Sequence, residues 1–218
     1  MPSCLGFRAP VWALVATILS ATAAGTSACL PKTSPLPGDG LTAEVTDRRG
    51  DARASARVPT PPDFIRATAI VSDGAFTLTV SFAPGTLSDR TAIRVYLDTD
   101  EDAATGTVAF FRESRPIGAD YVIRPVQPIN PARAALTREA APSQSVFSGV
   151  LDVTSPAPDQ RRFVVPLARL GNDDGRLRFK LECDQVVEQS QEGLKSTATL
   201  LTHLDEMPDA GAPPGAVR

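Results

Sequence analysis

Tryptophan, histidine and cysteine are scarce in this chain of 218 residues, which holds one Trp, one His and three Cys. A single imidazole, His203, provides no His pair for a metal or for haem, and the strings H-E-x-x-H and G-x-S-x-G are absent. That removes the common zinc-hydrolase and serine-hydrolase signatures. No apolar stretch reaches the roughly 20 residues that a membrane-spanning helix requires. The 25 acidic and 22 basic residues leave a formal net charge of -3, which provides no basic footprint for nucleic acid. Proline, in contrast, is abundant at 20 residues. Because proline lacks an N–H and clashes inside helices, this argues against a mostly helical fold. Hydrophobic residues at 42% suffice for a core.

Residues 1–28 read as an export signal. Arg8 precedes an apolar stretch, Ala9–Leu19, and small residues follow (ATAAGTSA, 21–28), the order a secretory signal needs. Two cleavage readings compete. Ala21-Thr22-Ala23 fits an A-x-A site and predicts a secreted soluble protein. Thr26-Ser27-Ala28-Cys29 resembles a bacterial lipobox, though Thr26 stands where an aliphatic residue is usual, and it predicts a lipid anchor on Cys29 in the cell envelope. Residues 29–62 are rich in Pro, Thr, Ser, Gly and charge, so a flexible tether is expected there. Arg49-Gly50-Asp51 within it is a tripeptide that such a composition produces by chance.

From 63 to 204 the dominant period is two, the mark of strands. Phe76, Leu78, Val80 and Phe82 alternate with Thr77, Thr79 and Ser81. The run Ile65-x-Ala67-x-Ala69-x-Val71 precedes them across Asp73-Gly74, a hairpin turn pair. Further strands are expected at Ile93–Leu97, Val108–Phe111, Tyr121–Val126, Val146–Val153, Arg161–Val165, Leu177–Cys183 and Thr197–Leu201. Ala132–Ala141 and Leu167–Leu170 read as short helices. The prediction is an all-β, jelly-roll-like antiparallel sandwich of eight or nine strands with a loose tail, 205–218. Alternation turns Cys183 to the core, a poor position for pairing with Cys29, although an oxidising envelope leaves that disulfide as an alternative.

One constellation carries chemistry. The strand at Ile93–Leu97 runs into Asp98-Thr99-Asp100-Glu101-Asp102, then Thr105-Gly106, and Gly118-Ala119-Asp120 follows. Carboxylates at alternate positions of a strand end bring hard oxygen ligands together, as Ca²⁺ requires. Asp98, Asp100, Asp102 and Asp120 are the expected ligands, with Thr105, Gly106 and Gly118 shaping the loop. It is not an EF-hand, since Ala103 and Ala109 occupy the sixth and twelfth positions counted from Asp98. A solvated acidic turn is the competing interpretation of the same residues.

The strings VYLDTDEDAATGT (95–107), GADYVIR (118–124) and FVVPLARLGNDDGRLRFKLE (163–182) resemble a module of bacterial secreted and surface proteins. In it a D-T-D-x-x-x-x-T-G loop precedes a G-x-D-Y strand, and it is similar to DOMON-like and family 9 carbohydrate-binding-like domains. The resemblance implies a non-catalytic sandwich often associated with calcium or sugars. It leads to a binding or adhesion protein of the envelope with structural Ca²⁺, facing an extracellular ligand. The alternative is a carbohydrate-binding module for a polysaccharide, with Tyr96 as the aromatic contact. A hydrolase is the third reading, and no nucleic-acid partner is expected.

Overall fold

The computed structural model describes residues 40–109, 117–127, 129–140, 144–189, 198–208 and 213–218. The export signal, Cys29 and the first part of the expected tether lie outside these residues, as does Phe111. The most legible pair forms as its pattern dictates. Strand β2 (Phe64–Ser72) and strand β3 (Ala75–Phe82) make a hairpin across Asp73 and Gly74, both at positive φ (52° and 71°). That is the turn whose twist matches two antiparallel strands. Phe76, Leu78, Val80 and Phe82 are all buried, and Thr77, Thr79 and Ser81 between them are half-buried.

Part of the segment expected to be a tether is strand. Strand β1 (Leu41–Thr46) lies within it and pairs with β2, from Leu41 opposite Val71 to Thr46 opposite Arg66. Leu41, Ala43 and Val45 pack on the core, an alternation that its polar surroundings conceal.

Strand β4 is Thr91–Asp98, and the two short strands β5 (Thr107–Ala109) and β6 (Ile117–Ala119) form a separate pair. Strand β7 (Tyr121–Pro125) is followed by β8 (Arg133–Ala140), where a short helix was expected. The Ala, Leu, Arg and Glu of this segment favour helix in isolation, but pairing with β7 and β9 overrides a weak local preference. Strand β9 (Gln144–Thr154), β10 (Gln160–Pro166) and a 3-10 turn at Leu167–Leu170 come next. Strands β11 (Leu177–Gln189), β12 (Ala198–Met207) and β13 (Gly215–Val217) complete the chain. The tail is thus partly strand, and Met207 and Val217 are fully buried. Among the described residues, thirteen strands replace the eight or nine expected.

The strands are all antiparallel, in the order β1-β2-β3-β10-β9-β8-β7-β4-β11-β12, with β13 also on β11. Long β9 links two layers, pairing with β10 at its end and with β8 along its length. The layers enclose one core, to which Phe64, Leu78 and Phe163 contribute from one side and Val95, Leu97 and Phe179 from the other. β1 packs against β13, so the sheet is nearly closed. Cys183 is a free thiol on the core face of β11, 0% exposed, with its Sγ 3.6 Å from the Pro62 carbonyl.

Candidate metal centre

The site forms where β4 ends. Ile93, Val95 and Leu97 fill the core phase of this strand, so Arg94, Tyr96 and Asp98 occupy the other. Two neighbours fix what Asp98 meets. Strand β7 places Tyr121 opposite Leu97, bringing Asp120 beside the loop that follows β4, and β11 places Arg178 opposite Asp98. One carboxylate oxygen each from Asp98, Asp100 and Asp120 then lies within 4.8 Å of the others. That span is about twice a Ca–O bond of 2.3–2.6 Å.

Each carboxylate has a distinct environment. Asp120 Oδ2 accepts hydrogen bonds from the Thr99 N–H and hydroxyl, both 2.9 Å. Exposed Asp100 accepts from the Asp102 N–H at 2.9 Å and from the Thr105 hydroxyl at 2.8 Å. Some desolvation works against these bonds, but they and the neighbouring Asp98 carboxyl hold Asp100 below the usual carboxylate range. Asp98 is 0% exposed, and its Oδ2 accepts from the Arg178 guanidinium at 2.5 Å. Its Oδ1 is enclosed and accepts no hydrogen bond from any donor among the described residues. Burial pushes the Asp98 carboxyl up to about 6 against the pull of Arg178, and the Asp100 carboxyl beside it adds to the rise. Two acceptors facing each other require a proton or a cation between them.

Asp102, the fourth expected ligand, stands apart from this group. Its exposed carboxylate accepts from the Ala104 N–H at 2.9 Å, a local turn contact. Thr105 braces the loop through Asp100 and through the Asp102 carbonyl, 3.0 Å away. Gly106, at φ +63°, and Gly118 mark where the loop and β6 touch backbone to backbone. A Cβ on Gly106 would sit 2.4 Å from the Ala119 carbonyl oxygen, and one on Gly118 2.4 Å from the Asp102 carbonyl oxygen. Tyr96 is half-buried, packed on Ile117 of β6, and its hydroxyl donates to Glu182 at 2.9 Å. It is built into the fold rather than presented as a flat platform.

Sequence reasoning missed two members of the neighbourhood. Arg178 lies in the strand expected at Leu177–Cys183, with no role assigned to it. Asp173, in the Asn172-Asp173-Asp174-Gly175 turn, has no role assigned from the sequence, and burial with the charges of Asp174 and Asp120 raises its half-buried carboxyl to about 6. Only the β4–β11 register, a long-range fact, signals Arg178. A second acidic group comprises Asp47, Asp51 and Asp205, again with one oxygen each within 4.8 Å. Its Asp51 is the last residue of Arg49-Gly50-Asp51. Asp205 accepts from the Phe64 N–H at 2.6 Å and from the Glu206 N–H at 3.0 Å.

The donor set at Asp98, Asp100 and Asp120 is all oxygen and suits a hard cation. Three carboxylates also outweigh the one guanidinium among them. A search of protein-family models and of curated proteins finds no match to this chain.

Proposed function

We propose that this chain is a non-catalytic β-sandwich of the bacterial cell envelope, lipid-anchored through Cys29 or secreted, that presents a binding or adhesion face. In this reading Asp98, Asp100 and Asp120 hold a structural Ca²⁺. The observation that carries the calcium reading is the enclosed Oδ1 of Asp98, a buried acceptor with no donor among the described residues, on a carboxyl group that belongs to a cluster of three. Leaving such an atom unsatisfied costs more than most hydrogen bonds contribute. The cation would neutralise the cluster and tie the loop after β4 to the start of β7, which stiffens one end of the sandwich. Compartment and anchor rest on residues 1–29 alone. The polysaccharide alternative depended on an outward Tyr96, and with that ring packed on Ile117 no observation favours it.

Calorimetric titration of the full chain with Ca²⁺ tests the reading. One site with a dissociation constant of about 10⁻⁴–10⁻³ M is expected, the range of extracellular modules. Asp98→Asn should remove that binding. Absence of any saturable Ca²⁺ binding at several millimolar overturns the reading and leaves a solvated acidic turn.

A further inference from the structure

Strand β10 breaks its own pattern at one residue. Phe163 and Val165 fill its core phase, while Arg162 and Val164 are exposed on the other. Arg161 belongs to the core phase, opposite Val80 of β3, and is only 9% exposed. Among the described residues its hydrogen-bond partners are neutral. Nη1 donates to the Ser155 hydroxyl at 2.9 Å and to the Gln160 carbonyl at 3.1 Å. The one carboxylate within 4 Å among the described residues is Asp89, 3.8 Å from Nη2, on a side chain 89% exposed. So exposed a partner neutralises little. Burial pulls the guanidinium below its ordinary range against the Asp89 charge, yet an arginine does not shed its proton. A buried cation of this kind is costly until an anion meets it.

The same residue borders a cleft at the end of the sandwich where β4 begins and β7 ends. Arg161 and Thr91 meet there an apolar wall of Ile93, Pro125, Ile129, Pro131, Val153 and Phe163. The cleft holds about 330 Å³ with its open mouth included, the low end of small-molecule sites, and barrel mouths are a usual place for them. Its rim is braced. Asn130 Oδ1 accepts from the Ala132 N–H at 2.9 Å, and the Ala132 carbonyl accepts from the Val153 N–H at 2.8 Å. One buried positive charge beside an apolar wall selects an anion that carries an apolar group. We infer that this cleft binds a small amphipathic carboxylate, its headgroup on Arg161 and its short aliphatic chain against Ile93, Val153 and Phe163. Charge complementarity sets the sign of the ligand, and the guanidinium fork suits a carboxylate. Asp98 closes β4 at its other end, so the site does not depend on the calcium reading; it gives the binding role a class of ligand.

Amide chemical shifts of the full chain, titrated with hexanoate in the presence of chelator, test this. Hexanoate should bind saturably and shift the signals of Ile93, Ala134 and Phe163 most. Hexanol has the chain without the charge, and acetate the charge without the chain. Each should bind at least about tenfold more weakly, the factor that a charged hydrogen bond or a few buried methylenes contribute. Arg161→Gln should abolish the preference for hexanoate over hexanol. Arg162→Gln, on the exposed phase of the same strand, should stay within about twofold of wild type. Asp89→Asn should bind hexanoate at least as tightly as wild type, because it removes the competing carboxylate. Truncating a buried arginine can unfold the chain, so the wild-type ligand series and Asp89→Asn carry the test without it. Equal affinity for hexanol or acetate, weaker hexanoate binding in Asp89→Asn, or no saturable shift at the cleft overturns the inference and leaves the calcium reading intact.

Discussion

Asp98 and Arg178 are cross-strand partners on β4 and β11 whose side chains close a 2.5 Å ion pair, with the carboxylate wholly buried and the guanidinium about one-fifth exposed. The arginine neutralises part of the acidic cluster, and it is a contact that a cation can share. Arg178→Met should therefore destabilise the calcium-free protein by about 3 kcal/mol, because it strands a buried carboxylate. Calcium should restore much of that loss. Urea unfolding with chelator and with Ca²⁺ measures both terms, and the calcium increment should be larger in the variant than in wild type.

The two loop glycines make a stricter prediction. At Gly106 and Gly118 the atom that an added Cβ would strike is backbone, at 2.4 Å, and it cannot rotate away. Gly118→Ala should cost at least about 1–3 kcal/mol of stability. It should also weaken Ca²⁺, since the strike falls on the Asp102 and Thr105 carbonyls of the binding loop. For Gly106→Ala, where φ is +63°, Gly85→Ala, whose Cβ meets nothing within 4 Å at φ +77°, controls for left-handed strain alone.

How far the residues reveal the molecule depends on whether the information is local. The β2–β3 hairpin was legible because Asp73-Gly74 and the Phe76–Phe82 alternation agree. The loop after β4 was legible because its carboxylates, Thr105 and Gly106 lie within nine residues. Strand β1 was hidden because Leu41, Ala43 and Val45 are few and sit among turn-forming residues. β8 was misread because ARAALTREA consists of good helix formers whose fate two neighbouring strands decide. Arg178 was missed for a related reason. The place of Arg178 follows from pairing across some eighty residues, which no local pattern encodes. Asp102 shows the converse, since regular spacing is not convergence once the chain leaves the strand and turns.

A pH dependence follows from Asp205. Burial, with the charges of Asp51 and Asp63, pushes its carboxyl from 3.8 to about 7, although the Phe64 and Glu206 N–H groups oppose the rise. Its proton is thus bound more tightly in the folded chain. The stability linked to it is complete below about pH 4 and is lost as the pH rises toward 7. The slope it adds approaches about 1.4 kcal/mol per pH unit within that window. Other carboxylates, such as Asp100, titrate in the opposite sense, so the variant is compared with wild type. Asp205→Asn should remove a decline in stability between about pH 4 and 7, read by urea unfolding at each pH. A difference between the two proteins that is constant with pH would contradict this.

The central claim is the cation at Asp98, Asp100 and Asp120, and thermal unfolding of the full chain with 1 mM Ca²⁺ against chelator tests it most directly. Circular dichroism or a dye reports the transition, because the only tryptophan, Trp12, lies in the predicted signal. With a dissociation constant near 10⁻⁴ M, mass action stabilises the fold by about 1.4 kcal/mol. For a domain of this size that is a rise in Tm of roughly 3–6 °C. Mg²⁺ at the same concentration should produce less, since it dehydrates reluctantly. A calcium-specific rise of that size, absent in Asp98→Asn, is the predicted result; superimposable melting curves in calcium and in chelator would contradict it.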